Sequence, residues 1–144
     1  MSRPARVAEV MGGYAVLGAR IRSTGDLDRA VAHGLPKPTL GNTVRRLMHA
    51  PRDAARLMAA IVPPATYKRR RTAFTAAESE RIERLARAIA AAEDAWADRA
   101  AAEAWMLAPH PMLEGKRPVD AALTELGARR VEALLDRLVH GLPA

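Results

Sequence analysis

The chain has no cysteine in its 144 residues, which excludes a disulfide framework and any thiolate metal site. Aromatic residues make up only 3%. β-Branched residues are also sparse, which leaves little material for a packed sheet. No stretch approaches the roughly 18 consecutive apolar residues that a membrane-spanning helix needs. Arg3 and Arg6 precede an apolar stretch from Val7 to Leu17, but Glu9, Gly12 and Gly13 interrupt it and no small-residue cleavage pattern follows. This argues against a secretory leader. With the lack of cysteine, it favours a reducing cytoplasm. The signatures of catalysis are missing too. His33, His49, His110 and His140 are widely separated, without metal-ligand spacing, and there is no nucleophile elbow or phosphate-binding loop. The sequence therefore predicts no enzyme, no cofactor and no metal.

Alanine, leucine and arginine dominate instead, and these favour helix. The expected fold class is all-α, with enough chain for one ordinary core or two small ones. Charge is unevenly spread. Residues 1–71 hold 14 basic against 4 acidic side chains, and residues 72–144 hold 9 against 12. The first half can neutralise phosphates and the second cannot.

Punctuation by Gly, Pro and cap residues divides the chain. Asp26 is expected to cap a short helix over Leu27–His33, closed by Gly34, and Thr39 to cap one bearing Leu40, Val44, Leu47 and Met48 and ended by Pro51. Ala54, Leu57, Met58 and Ile61 recur at helical spacing over Asp53–Ile61, and Pro63-Pro64 then breaks the chain. Pro64 suits the start of a helix over Ala65–Arg71. Thr75-Ala76-Ala77-Glu78 is a capping box that opens the longest helix, with Ile82, Leu85, Ile89 and Trp96 on one stripe. Trp96 is expected in the core. Asp98 restarts a helix to about Met106, and Pro109-His110-Pro111 must be loop. Pro118 opens the final region, with Leu123, Leu126, Val131, Leu134, Leu135 and Leu138 as its apolar face. Gly127 near its start predicts close approach of another backbone.

Asp53–Ile61 and Ala65–Arg71, joined by a short Pro-containing turn, have the proportions of a helix-turn-helix. The second helix carries Thr66, Tyr67, Lys68, Arg69, Arg70 and Arg71 as candidate DNA contacts. Arginine can read guanine and threonine can touch a thymine methyl. Helical steps of about 100° spread consecutive residues around the axis, so one or two cations should face the groove and the rest grip phosphate. Arg45, Arg46 and Arg52 extend this basic surface.

The segment Trp105–Gly141 carries Trp105, Leu113, Gly115, Pro118, Thr124, Gly127, Val131, Leu135 and Gly141 in an order that resembles the toxin-binding domain of Xre/MbcA/ParS-type antitoxins, partners of RES-domain toxins. The helix-turn-helix and the Ser-Glu-Arg-rich helix after it fit the same family, so the likeness covers roughly the last 120 residues. His110-Pro111 departs from the family pattern in its loop. The resemblance implies a type II antitoxin that dimerises or assembles further, represses its own operon by binding operator DNA, and occludes the cleft of an NAD-degrading RES toxin. It divides the chain into a DNA-binding domain, 1–74 (1–24 unassigned), and a dimerisation and toxin-binding domain, 75–144. Candidate toxin contacts are Trp105, His110, Lys116, Arg117, Gly141, Leu142, Pro143 and Ala144. Two other readings stay open: a stand-alone regulator or partition-type protein whose C-terminal part only self-associates, and an orphan module that binds nucleic acid without sequence preference.

Overall fold

The computed structural model describes residues 1–142, and Pro143 and Ala144 lie outside them. The elements are α1 (Arg3–Val10), α2 (Tyr14–Leu17), α3 (Thr24–His33), α4 (Pro38–Arg45), α5 (Pro51–Ile61), α6 (Pro64–Arg69), α7 (Ala76–Trp96), α8 (Arg99–Leu107), a 3₁₀ turn (Pro111–Leu113), α9 (Pro118–Ala121) and α10 (Glu125–Val139). There is no strand among the described residues; one isolated antiparallel bridge joins Pro36 to Ala73. The all-α expectation holds.

The 21-residue α7 is the axis of the molecule. At about 1.5 Å per residue, such a helix crosses a small domain from end to end. Ile82, Leu85, Ala86, Ala88, Ile89, Ala90 and Ala92 are all buried, so α7 meets protein on several sides. α1, α3, α4 and α5 pack on it, as do α8 and α10. Its alanines let neighbouring axes come close, while the burial of Ile82, Leu85 and Ile89 contributes about 1.5–3 kcal/mol each. A single buried cluster runs from Val7 to Leu135. The previously unassigned N-terminus belongs to it: Val7, Val10 and Met11 are buried, and Arg3 and Arg6 reach Asp94 on α7 at 2.6 and 2.5 Å. On the other flank Arg84 meets Glu125 at 3.1 Å and Arg87 meets Glu132 at 3.0 Å, fastening α7 to α10.

Several local expectations are corrected. Ser23, not Asp26, caps α3, accepting from the Asp26 amide, so the helix starts at Thr24. α4 begins at Pro38, whose missing N–H costs nothing at a first helical position. Thr39 is thus inside the helix, where its hydroxyl donates to the Pro36 carbonyl at 2.7 Å. Trp96 is 37% exposed, because it occupies the last residue of α7, where the packing ends. The final region is two helices rather than one. Thr124 stops the chain after α9 and caps α10, accepting from the Gly127 amide at 3.0 Å. Leu126, the second residue of α10, is left 69% exposed.

The corner between α9 and α10 explains Gly127. A Cβ there would lie 1.8 Å from the Ala121 carbonyl oxygen. In an exposed helix, Gly→Ala is worth about 1 kcal/mol of stabilisation. Here the sign should reverse: Gly127→Ala is expected to lower the melting temperature, because α9 must move off α10 or α10 must lose its first turn. A thermal melt checks it, and an unchanged or raised midpoint would refute the close-approach account.

Candidate nucleic-acid interface and C-terminal surface

Buried Ala54, Leu57 and Ile61 seat α5, and Val62-Pro63 turns the chain into α6, with Pro64 at its first position. This is the helix-turn-helix expected from the sequence. α6 is shorter than the expected 65–71, ending at Arg69. Arg70 has extended backbone and Arg71 lies in the bend beyond.

The six candidate DNA contacts are sorted by what holds them. Tyr67 turns inward, 6.2 Å from the ring of buried Phe74, with the Lys37 ammonium 4.3 Å over its face. It anchors α6 rather than presenting to a groove. Thr66 is half-buried and accepts from Arg69 Nη2 at 3.1 Å. Arg70 gives one edge of its guanidinium to Glu78, Nε to Oε1 at 2.8 Å and Nη2 to Oε2 at 2.7 Å. Lys68, Arg69 and Arg71 are exposed, with no carboxylate at ion-pair distance among the described residues. Of the flanking bases, Arg45 and Arg52 are exposed, but Arg46 is not part of the surface. It makes a bidentate pair with Glu93 at 2.8 and 2.9 Å, with side-chain exposures of 14% and 6%.

Three contacts invisible in the periodicity fix α6 in place. The Arg70–Glu78 pair ties its exit to the first turn of α7. Arg81 Nε donates to the Ile61 carbonyl at 2.9 Å, satisfying an end-of-helix acceptor of α5. Residues 72–74 run beside 35–37: the Lys37 amide donates to the Thr72 carbonyl at 2.8 Å and the Phe74 amide to the Leu35 carbonyl at 2.9 Å. Gly34 makes room for this, since a Cβ would stand 2.4 Å from the Phe74 carbonyl oxygen. The capping box completes the junction, with Thr75 Oγ1 accepting from the Glu78 amide at 3.2 Å and Glu78 Oε1 accepting from the Thr75 amide at 2.9 Å. The Arg70 guanidinium, helped by the Thr75 amide, holds the Glu78 carboxyl down at about 2.

At the other end of the molecule, Trp105 is half-buried and meets His110 edge-on, with centroids 5.9 Å apart. His110 Nδ1 accepts from the Met112 amide at 3.0 Å, fixing the ring over the turn. Trp105, Pro109, His110, Pro111, Met112 and Arg137 line a cavity of about 390 Å³, and the indole N–H of Trp105 is buried without an acceptor among the described residues. Gly141 turns at φ +75° and exposed Leu142 returns its amide to the carbonyl of Arg137, whose side chain lines this cavity, at 2.8 Å. Lys116 is exposed. Arg117 is elsewhere: it pairs with Asp120 at 2.8 Å and lines a different cleft with Asp53 and Leu107, facing α5. Met112 and Arg137 were not anticipated, since neither stands out by spacing.

The geometry defines an all-α helix-turn-helix protein with a second, partner-type helical surface. Comparison with known proteins agrees with that division. Residues 26–87 match the antitoxin Xre-like helix-turn-helix domain, and residues 91–141 match the antitoxin Xre/MbcA/ParS C-terminal toxin-binding domain. A relative named Antitoxin Xre, from Yersinia enterocolitica serotype O:8 / biotype 1B, is 40% identical over 90 residues, or 60% of this chain and 61% of the relative. The chain belongs to the Xre/MbcA/ParS-type antitoxins.

The Glu78 junction gives a pH test. Its carboxyl titrates at about 2 folded against an ordinary 4.5. The stabilisation is therefore fully present above about 4.5 and is lost as pH falls towards 2. Glu78→Gln should melt below the parent at neutral pH, and the gap should close as the pH is lowered through that window. A gap independent of pH would show that the charge is not what stabilises the junction.

Proposed function

We propose that the protein is an antitoxin that represses its own operon by binding operator DNA and neutralises a RES-type, NAD-degrading toxin by covering its cleft, acting by binding alone. The RES identity of the toxin and its chemistry rest on the family resemblance. The observation that carries the reading is the placement of two unlike surfaces at separate ends of one fold. Exposed Lys68 and Arg69 on the second helix of a helix-turn-helix, and Arg71 just past it, have no carboxylate at ion-pair distance among the described residues, and an apolar cavity at Trp105 and His110 is lined by Arg137 near the end of α10.

On this reading residues 1–74 supply the DNA contacts, and residues 75–144 supply toxin binding and self-association. Lys68 and Arg69 meet the major groove and its phosphates, while Arg70 acts through Glu78 by holding α6. Thr66 supports Arg69. Exposed Leu126, Val139 and Met112 offer surface for a second copy. Dimerisation pairs two α6 helices for a two-fold site with half-sites about 34–36 Å apart. The segment Gly141–Ala144 inserts into the toxin cleft, with Lys116 beside it, and the protein works in the cytoplasm.

The first test is purification of the tagged protein from its native lysate. A RES-domain protein recovered in near-equal amount supports the reading, and recovery of the chain alone or with DNA only leaves the stand-alone regulator. Deleting the last four residues should spare folding and DNA binding but abolish protection against the toxin. Full protection by the truncated chain contradicts the plug. Arg69→Ala should flatten the salt dependence of DNA binding by roughly 0.9 in log–log slope. An unchanged slope removes its phosphate contact.

A further inference from the structure

The N-terminal segment before residue 26 lies outside both family matches, yet it builds one wall of a cleft whose other wall is the chain leaving α6. Arg20, Ile21, Arg29, His33, Thr72 and Ala73 line this cleft of about 570 Å³. Thr72 follows exposed Arg71 directly, and the 72–74 segment is clamped beside 35–37, so the cleft has a fixed position relative to α6.

Its lining holds two arginines, Arg20 and Arg29, of which Arg29 is paired with Asp26. Arg20 is exposed, rests 5.9 Å from the Tyr14 ring and has no carboxylate at ion-pair distance among the described residues. Arg22 and Arg71, next in sequence to the lining residues Ile21 and Thr72, are also exposed and lack such a partner among the described residues. The cleft's one carboxylate, Asp26, is already occupied: it accepts the Arg22 amide at 2.9 Å and pairs with Arg29. The other acid of α3, Asp28, faces the opposite cleft with Glu80 and Glu83. Elsewhere most arginines are spent on carboxylates, as Arg3, Arg46, Arg84 and Arg130 show. An unspent guanidinium facing a cleft, that of Arg20, fits an anion with spread charge, and a DNA phosphate meets that description.

We propose that this cleft seats a backbone phosphate of the DNA flanking the half-site under α6, with Arg20 as its principal ligand and Arg29, shared with Asp26, as the second. The proposal rests on the DNA-binding reading above and extends it: the footprint reaches past the major groove occupied by α6, through Arg20, which lies outside the matched helix-turn-helix domain. Such a contact adds affinity without sequence preference and adds salt dependence.

The test titrates the full chain against duplex DNA from upstream of its own coding region, and against a random duplex of equal length, across a salt series. Arg20→Ala and Arg29→Ala are made singly and together, beside Arg69→Ala, with a melt of each to confirm folding. Arg20 is the informative single variant, because it holds no carboxylate. Arg20→Ala is expected to lower the log–log slope by roughly 0.9, and to weaken both duplexes by the same factor. Trimming the flank of the upstream duplex should reproduce the variant's affinity with the parent chain. If Arg69→Ala lowers the slope but Arg20→Ala and the double variant do not, the flanking contact is wrong and the DNA reading stands. If the parent binds neither duplex, the DNA reading falls and this proposal falls with it.

Discussion

Two parallel hydrogen bonds join the Arg70 guanidinium to the Glu78 carboxylate where the chain passes from α6 into α7. Glu78 is buried, so its charge is tolerated only because Arg70 and the Thr75 amide satisfy it together. α6, only six residues long, is too short to be stable on its own. It exists because Tyr67 is packed on Phe74, Arg70 is fixed to α7, and Arg81 closes the end of α5. The presentation of Lys68 and Arg69 is thus a consequence of α7 being in place. The same α7 buries its other flank against α8 and α10, which position Trp105 and the tail. Both outward surfaces depend on one helix.

The arginines follow a common rule. Those near carboxylates of α7 and α10 act as struts, linking α1 to α7 through Asp94, α4 to α7 through Glu93, and α10 to α7 through Glu125 and Glu132. The exposed pairs add little individually, on the order of 0.2–1 kcal/mol. The shielded Arg46–Glu93 pair matters more, since losing one partner strands the other charge. Bases without carboxylates gather from Arg20 to Arg71, so the charge imbalance seen in composition becomes a surface able to meet phosphate.

The sequence was legible wherever a residue's role is set by its near neighbours. The capping box at Thr75, the Pro-bounded start of α6, the helix over Asp53–Ile61 and the crowding at Gly127 are all local, and the structure carries them. Residues whose partners are distant in sequence were misread. Arg46 looked like surface base because nothing nearby signals Glu93, 47 positions away. Arg70 looked like part of a basic run because helical spacing does not reveal that α6 stops one residue earlier. Trp96 fell on the apolar stripe, yet the stripe outlasts the packing. The N-terminal 24 residues carried no recognisable pattern, and only α7 supplies the surface that makes Val7, Val10 and Met11 core. At the C-terminal end Trp105 and His110 do come together, whereas Arg117 belongs to another face.

The central claim is that α7 makes the helix-turn-helix half and the C-terminal half one cooperative unit. Native-state hydrogen exchange of the full chain across increasing denaturant tests it most directly. The account predicts that amides of α5, such as Leu57, those of α7, such as Ile89, and those of α10, such as Leu134, converge on a single opening free energy. Exchange of α10 through a separate, lower-energy opening while α5 and α7 stay protected would contradict it, and would mean that the two surfaces rest on independently folding parts.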